Sequence, residues 1–429
     1  MILTAVVFFI VLIVLLLLGV PIAISLGVVS LTWVIQAGSN LQVVAAKMYS
    51  SMDQFVILAL PFFILAGEIM NFSGITDRII TFVNFIVGRV RGGLAQANIY
   101  TSLLFAGITG AAISDVSALG SVFIPAMEKQ GYTRRFAAMI TAASSIVGPI
   151  IPPSNIIIIY GAVTGTSIGA LFAGAIAPGV VLGLSMSLMV AATAKKKNFP
   201  KVELPFVFKE FVSSFKSAIL ALCMPAIIIG GILGGIFTPT EAAAVAVFYA
   251  LIVAVFIFRS LNGKHFIQAL KNTFRTSSML FFIFGVGGVL GWIIARIKLP
   301  IVITSFFLSI SDNPNIIFVL ILFLLVFVGT WLETGVSCII LGPILAPMMT
   351  SLGFNPIHFG IVMIVTLNFG LITPPLGVCL FAAVGIGKIN FEEIVREIWP
   401  YLILDFFVII LLVFIPELTL FIPRLLGFI

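Results

Sequence analysis

The chain has 429 residues, of which 61% are hydrophobic and only 9% are charged, and its mean hydropathy is +1.30. An ordinary soluble domain carries about 25% charged residues, so this composition excludes a soluble fold. The net charge of +7 does not indicate nucleic-acid binding, because the basic residues lie in short loops between apolar segments. At roughly 20 residues per span, we predict an all-α polytopic membrane protein.

Apolar segments and helix breakers divide the chain into two halves with the same layout. The first half has predicted spans at 2–18, 21–36 and 55–72, an amphipathic stretch at 75–90, a hairpin at 94–128 (hairpin 1), a broken span at 134–163 and a span at 168–193. The second half has spans at 217–237, 240–258 and 277–294, a lateral stretch at 297–311, a hairpin at 315–350 (hairpin 2), a broken span at 357–385 and a span at 397–421. We predict two domains, 1–193 and 217–429, joined by a cytoplasmic connector at 194–216. The first apolar segment is too long for a cleaved signal peptide and is predicted to remain as an anchor.

A shift of 222 residues aligns the helix breakers of the two halves without a gap. The matched residues are Gly107 and Gly329, Gly120 and Gly342, Pro125 and Pro347, Gly131 and Gly353, Gly148 and Gly370, and Pro152–Pro153 and Pro374–Pro375. The halves therefore share their breaks as well as their hydrophobicity. Duplicated halves with interrupted hydrophobic segments at matching positions are typical of secondary transporters.

The charge distribution indicates that the two repeats are inverted. If each hairpin enters and leaves on one side, each half crosses the membrane an odd number of times. Of the 22 Lys and Arg residues, all but Lys47, Arg296, Lys298 and Arg424 then fall on one side. By the positive-inside rule this side is cytoplasmic, so both termini are predicted to be periplasmic.

Three acidic residues in apolar segments have ordinary structural explanations. Glu68 is expected near the inner end of its span, where it can snorkel toward water. Glu241 fits the last position of a capping box that begins at Thr238. For Asp405, a pairing with another helix or subunit and a functional role are both open.

Two other acidic residues, Asp115 and Glu333, lie at the predicted hairpin tips among Gly, Ser and Thr. Small residues alone could serve helix packing, but packing does not explain the acids. Each hairpin is followed by a break that contains adjacent prolines, which remove amide donors and free upstream carbonyls. A simple proline kink would not account for the duplication. Oxygen-rich, irregular backbone beside a carboxylate is suited to a hard cation such as sodium.

We therefore predict two sodium sites, one for each pair of hairpin and break, and no catalytic residues. Site 1 is predicted to comprise Thr109, Gly110, Ser114, Asp115, Ser117, Gly148, Pro152, Ser154 and Asn155. Site 2 is predicted to comprise Thr330, Glu333, Thr334, Gly335, Ser337, Gly370, Thr373 and Pro374.

Two enzyme classes are disfavoured by the local sequence. Gly165–Gly169 matches the G-x-S-x-G elbow of serine hydrolases, but it lies in a short loop between two predicted spans. The chain has no P-loop motif, so it is not itself an ATP-driven pump.

The residues around Ser114–Asp115, the Ile151–Ser154 break, Thr238–Ala244 and Thr373–Gly377 resemble the large membrane (M) subunit of tripartite ATP-independent periplasmic (TRAP) transporters. The resemblance covers essentially the whole chain and is greatest to the M subunits of sialic-acid systems. It implies sodium-driven elevator transport of an acidic solute across the bacterial inner membrane, with two or more sodium ions and no organic cofactor.

The resemblance also implies two partners, a small four-helix membrane subunit (Q) and a periplasmic binding protein (P). Since the chain starts with the M region, Q is expected to be a separate polypeptide. The predicted outer loops are short and poor in cations, which suits delivery of the solute by P. Arg296, near the mouth of hairpin 2, is a candidate contact for P or the solute carboxylate, although an interfacial snorkelling arginine is the alternative. A C4-dicarboxylate TRAP system and a citrate-type carrier without a binding protein remain alternatives.

Overall fold

The computed structural model describes residues 10–12, 14–16, 18–201 and 208–429. Within these ranges all regular structure is helical, which confirms the predicted all-α class. Eight of the described helical segments are long and apolar enough to cross a bilayer. Most of the predicted span 2–18, and residues 202–207 of the predicted connector, lie outside the described residues.

The helices alternate with short turns throughout the described chain. In the first half they are Ile22–Gln36, Gln42–Met52, the 3-10 turn Phe55–Leu58 with Ala59–Phe72, Ile75–Val87, Gly93–Thr109, Ala112–Lys129, Arg134–Ser145, Asn155–Thr164 and Ile168–Thr193. In the second half they are Phe208–Leu233, Pro239–Ile252 with the π turn Val253–Ile257, Gly263–Arg296, Leu299–Ile310, Pro314–Trp331, Thr334–Ser351, Pro356–Gly370, Val378–Gly387, Phe391–Phe414 and Glu417–Leu425.

Four elements differ from the predicted spans. Phe208–Leu233 begins within the predicted connector and not at residue 217. The helix Gln42–Met52 was not predicted, because its short polar sequence lacks the length of a span. Gly263–Arg296 has 34 residues and begins well before the predicted 277–294, since Asn262 caps a polar first segment through His265 N. The predicted span 397–421 is two helices, which separate at Ile415 and Pro416.

Each hairpin turns within two residues at its tip. In hairpin 1, Gly110 adopts a left-handed φ of +60° and Ala111 is extended, which ends one helix and starts the next. In hairpin 2 the same change of direction is made by Leu332 and Glu333, both extended. The following broken spans are interrupted at 146–154 (break 1) and 371–377 (break 2), and the Pro–Pro bond of each break is cis.

The two repeats interlock through equivalent contacts. Hairpin 1 packs on Arg134–Ser145 of its own repeat and on Val378–Gly387 of the other, and hairpin 2 packs in the equivalent way on Pro356–Gly370 and Asn155–Thr164. A Cβ at Gly120 would lie 3.4 Å from Ile386 Cδ1, and a Cβ at Gly342 would lie 3.3 Å from Thr164 Cγ2. Both contacts join positions that the 222-residue shift relates, so the internal repeat extends to tertiary packing.

The remaining helices pack together beside this interlocked pair. Ala59–Phe72 packs on Pro239–Ile252 and Gly263–Arg296, and the latter also packs on Gln42–Met52. We call these four helices the scaffold helices. The predicted capping box is confirmed: Thr238 Oγ1 accepts from Glu241 N, and Glu241 Oε2 accepts from Thr238 N at 2.8 Å.

Candidate functional site

A cavity of about 1000 Å³ lies between the hairpin tips and two of the scaffold helices, Ala59–Phe72 and Gly263–Arg296. Both tips reach it, together with residues that follow break 1, with Leu376 of break 2, and with residues of both scaffold helices. Its polar lining includes Glu68, Asn71, Thr109, Ser114, Asn155, Thr276 and Glu333. The described lining contains no Lys, Arg or His. An anion in this cavity would therefore meet carboxylates, amides and hydroxyls, and no protein cation.

Asp115 lies behind this lining with no exposed surface. Its Oδ1 accepts a hydrogen bond from Thr109 Oγ1 across the tip of hairpin 1. Its Oδ2 has no hydrogen-bond partner among the described residues. A carboxylate without a full set of partners is costly to bury, because the lost hydration is not replaced. The free oxygen therefore marks a position where a cation would be stabilised.

Break 1 brings backbone oxygens to the tip of hairpin 1. A Cβ at Gly110 would lie 3.3 Å from Asn155 N and 3.4 Å from Pro153 O, so tip and break are in contact. Ser154 Oγ donates to Pro149 O and accepts from Ile157 N at 3.3 Å, which starts the helix after the break. Gly148 lies against the Asp115 carboxylate. The structure thus brings six of the residues predicted for site 1 close together: Thr109, Gly110, Asp115, Gly148, Ser154 and Asn155.

Two other predicted residues of site 1 lie toward its edges. Ser117 donates to Ile113 O and is exposed in a separate depression with Asn71 and Asp77. Pro152 O would lie 3.4 Å from a Cβ at Gly107, on the first helix of hairpin 1.

Glu333 of hairpin 2 is placed differently from Asp115. It is the N-cap of Thr334–Ser351, where its Oε2 accepts from Val336 N at 3.3 Å. The side chain is exposed to the cavity. A Cβ at Gly335 would lie 3.1 Å from the same oxygen. Glu333 therefore combines a helix-capping role with a negative charge in the cavity wall.

The other predicted residues of site 2 lie partly on hairpin 2 and partly at break 2, which packs against it. Thr334 Oγ1 donates to Asn368 Oδ1 at 3.0 Å, and both side chains are buried. Gly329 and Gly370 meet backbone to backbone, since a Cβ at Gly329 would lie 3.2 Å from Gly370 Cα. This contact holds the first helix of hairpin 2 directly against the end of the helix before break 2.

Three hydroxyl groups of site 2 donate to backbone carbonyls three or four residues earlier in the chain. Thr330 Oγ1 donates to Phe327 O, Ser337 Oγ to Glu333 O and Thr373 Oγ1 to Phe369 O. A hydroxyl that donates in this way keeps lone pairs that can bind a cation. Pro374, which follows Thr373, carries the cis bond of break 2.

Sequence reasoning missed two polar groups of the site region. Glu68, predicted to snorkel, lines the cavity and accepts from Asn272 Nδ2 at 2.9 Å. Asn368 binds Thr334 and donates to Ile364 O at 3.0 Å. The available signal for Asn368 was an amide inside an apolar run, two residues before Gly370.

Two further predicted features lie away from the cavity. Arg296 is exposed, and its guanidinium lies 5.1 Å from the centre of the Trp292 ring. Ser167, in the G-x-S-x-G sequence, caps Ile168–Thr193 by accepting from Ala170 N at 3.3 Å. The strand that a hydrolase elbow requires is absent from the described residues.

Comparison with known proteins finds similarity to membrane transporters in both sequence and fold. The family model described as "Tripartite ATP-independent periplasmic transporter, DctM component" matches residues 9–418. The sialic acid TRAP transporter large permease protein of Vibrio cholerae is 40% identical and covers 95% of each chain. The C4-dicarboxylate TRAP transporter large permease protein of the same organism is 35% identical and covers 97% of each chain. Among solved structures, the YdaH transporter of Alcanivorax borkumensis has a TM-score of 0.61 over 86% of each chain at 13% identity, which supports the fold.

Proposed function

Because the chain belongs to the DctM component family of TRAP transporters, we propose that it performs sodium-coupled uptake of an acidic solute. As a large permease subunit it is a multi-pass membrane transporter and not an enzyme. The family implies that it works with a small membrane subunit and a periplasmic binding protein.

The observation that carries the sodium assignment is the Asp115 carboxylate. It is fully buried, its Oδ2 lacks a partner, and the backbone of break 1 lies beside it. Sodium prefers several oxygen ligands, and the Thr109 hydroxyl already contacts the carboxylate. Bound sodium would act as the counter-ion of the buried Asp115 carboxylate.

The cavity supports coupling to an anion. Its described lining has no cationic side chain, while Glu68 and Glu333 contribute negative charge. An acidic solute would be repelled from this wall unless cations entered with it. Two sodium ions, one at Asp115 and one at Glu333, would offset that repulsion and make binding of ion and solute mutually dependent.

Sialic acid is the favoured solute, since the large permease with that assignment in V. cholerae is 40% identical over nearly the whole chain. A C4-dicarboxylate is the second candidate, because a permease with that assignment is 35% identical. Both candidates carry a carboxylate, so the argument from the cavity applies to each.

The proposed mechanism is of the elevator type in the bacterial inner membrane, with both termini periplasmic. The interlocked hairpins and broken spans would move as one body against the scaffold helices, two of which, Ala59–Phe72 and Gly263–Arg296, line the cavity together with the tips. The helices Ile75–Val87 and Leu299–Ile310 contact both groups and would act as the connecting arms. Arg296, at the start of the second arm, would be available to the binding protein because it is exposed.

Reconstitution tests this function directly. The chain would be placed in proteoliposomes with its small subunit, and binding protein loaded with sialic acid or a C4-dicarboxylate would be added outside. We expect uptake of sialic acid that requires an inward sodium gradient. Equal uptake in potassium would contradict sodium coupling, and preference for the dicarboxylate would reassign the solute. Sodium-driven uptake of free solute by this chain alone would favour a citrate-type carrier.

A further inference from the structure

A row of buried polar side chains joins hairpin 1 to Arg134–Ser145. We call it the polar seam, and it comprises Asn98, Thr101 and Ser102 on Gly93–Thr109, and Thr141 and Ser144 on the facing helix. All five side chains are buried, with exposed fractions of 0–1%. Asn98 Nδ2 donates to Thr141 Oγ1 at 2.6 Å, and one turn further on Ser102 Oγ lies 2.9 Å from Ser144 Oγ.

Two oxygen atoms of the polar seam, one amide and one hydroxyl, have no hydrogen-bond partner among the described residues. Thr141 gives its single proton to Ala137 O at 2.8 Å, so it can only accept from Asn98. This fixes the orientation of the amide and leaves Asn98 Oδ1 without a partner. Thr101 Oγ1 is also without a partner. Two buried oxygen atoms with unused lone pairs are expensive unless a proton donor or a cation binds them.

The second repeat shows that packing does not require this polarity. The positions that correspond to Asn98, Thr101, Ser102 and Thr141 after the 222-residue shift are Leu320, Phe323, Leu324 and Met363. Only Ser144 keeps a hydroxyl there, as Thr366. At the Asn98 and Thr141 positions the second repeat has the partly buried Leu320 and the buried Met363, and the equivalent helices Pro314–Trp331 and Pro356–Gly370 pack together. Phe323 and Leu324 are exposed, unlike Thr101 and Ser102. The Asn98–Thr141 hydrogen bond is therefore not required to join the two helices.

The polar seam is close in the chain to the proposed sodium site, because Ser144 precedes Gly148 by four residues. Ser102 Oγ donates to Asn98 O, so the Asn98–Thr141 and Ser102–Ser144 contacts are adjacent. Ser145 follows Ser144 in the chain. Ser145 O would lie 3.1 Å from a Cβ at Gly148, the residue that abuts Asp115. Asn98 precedes Thr109 by 11 residues on the same helix, which corresponds to about 16 Å along its axis. The polar seam thus lies between the tip of hairpin 1 and Arg91, which is on the side that the charge distribution indicates is cytoplasmic.

From these observations we propose that the polar seam is an additional sodium-binding station on the cytoplasmic side of Asp115. The inference rests on the proposed sodium coupling. Asn98 Oδ1, Thr101 Oγ1 and the Ser102 and Ser144 hydroxyls supply neutral oxygen ligands. Neutral ligands bind sodium less strongly than the Asp115 carboxylate, which suits a station that the ion occupies after it leaves that site and before it reaches the cytoplasm.

The test removes oxygen atoms while preserving shape. Asn98→Leu introduces the residue found at the equivalent position of repeat 2, and Thr101→Val and Thr141→Val replace a hydroxyl by a methyl group. The three substitutions are combined and compared with wild type in the full reconstituted system. Thr366→Val is the matched control, because Thr366 is a buried hydroxyl that donates only to Val362 O on the corresponding helix. Sodium-dependent thermal stabilisation of the purified proteins reports separately on folding and on binding at Asp115.

We expect the maximal uptake rate of the triple variant to fall by about tenfold, equivalent to about 1.4 kcal/mol in the barrier. Thermal stabilisation by sodium and the half-saturating external sodium concentration should change by less than about twofold, since Asp115 is intact. Wild-type uptake rates in the triple variant, or an equal loss in Thr366→Val, would overturn the station while leaving sodium coupling in place. Sodium-independent uptake by wild type would overturn both.

Discussion

Gly148 abuts the carboxylate of Asp115 so closely that a side-chain carbon at position 148 would collide with Oδ2. The two residues come from different elements, break 1 and the second helix of hairpin 1. There is space beside the buried carboxylate only because residue 148 has no side chain.

Gly148→Ala is therefore expected to impair sodium binding at site 1. Gly148 does not have a left-handed φ, so alanine can adopt its backbone conformation and only the added methyl group matters. We expect the half-saturating sodium concentration to rise by at least about tenfold, or about 1.4 kcal/mol of binding free energy. Uptake measured against external sodium provides the test. Gly385→Ala is the control, because no atom lies within 4 Å of a Cβ there; unchanged sodium affinity in Gly148→Ala would contradict the assignment.

Two substitutions separate the capping role of Glu333 from its charge. Glu333→Gln keeps an oxygen that can accept from Val336 N, whereas Glu333→Ala removes the cap. We expect the glutamine variant to retain thermal stability but to need more sodium for uptake, because the negative charge at site 2 is lost. The alanine variant should also lose about 1 kcal/mol of stability. Normal sodium dependence in Glu333→Gln would show that site 2 does not use this charge.

Gly370→Ala should destabilise the protein, because its methyl group would run into the backbone of Gly329. Backbone atoms cannot move aside as a flexible side chain can, so the helix before break 2 would have to separate from hairpin 2. We expect a loss of about 1–3 kcal/mol, seen as a lower melting temperature in detergent. Gly385→Ala again serves as the control, and wild-type stability in Gly370→Ala would refute the close backbone contact.

A covalent link between hairpin 1 and a scaffold helix should stop uptake if the hairpin body moves. Ala66 on Ala59–Phe72 and Ile108 on hairpin 1 line the same small cavity, so paired cysteines there can be bridged by a short bifunctional thiol reagent. Cys223→Ser removes the partly exposed native thiol from the background. Uptake should fall in proportion to the extent of cross-linking.

The matched control joins two parts of the proposed moving body. A Cβ at Gly387 would lie 3.2 Å from Ala138 Cβ, so a disulfide between Ala138→Cys and Gly387→Cys is sterically feasible after a small adjustment. This link should leave uptake intact. Full activity of the protein cross-linked between Ala66→Cys and Ile108→Cys would rule out the elevator mechanism.

Much of the local structure follows from neighbouring residues. Thr238 and Glu241 form the predicted capping box because its partners are three residues apart, and such interactions depend little on the rest of the fold. The prolines of the two breaks act in the same way, since they remove amide hydrogens wherever they occur. Long helices with polar first segments, such as Gly263–Arg296, were less predictable, because hydropathy alone does not show where a helix leaves the membrane.

The candidate site was predictable in composition but not in arrangement. Asp115 and Glu333 occupy matching hairpin tips in the sequence, yet one is buried against Gly148 and the other caps a helix at the cavity wall. Glu68 was expected to reach water at the end of its span, and it faces the cavity beside Asn272 instead. These outcomes depend on which helix packs opposite each residue.

The sequence by itself determined the membrane class, the 222-residue repeat, the positions of the breaks and the family of the protein. Hydropathy, proline and glycine act locally, so their effects can be read along the chain. Only the tertiary structure decided that each hairpin packs on the post-break helix of the other repeat, and that Asn98 meets Thr141 beneath Asp115. Such contacts join residues far apart in the chain, because they arise from the fit of whole helices against one another.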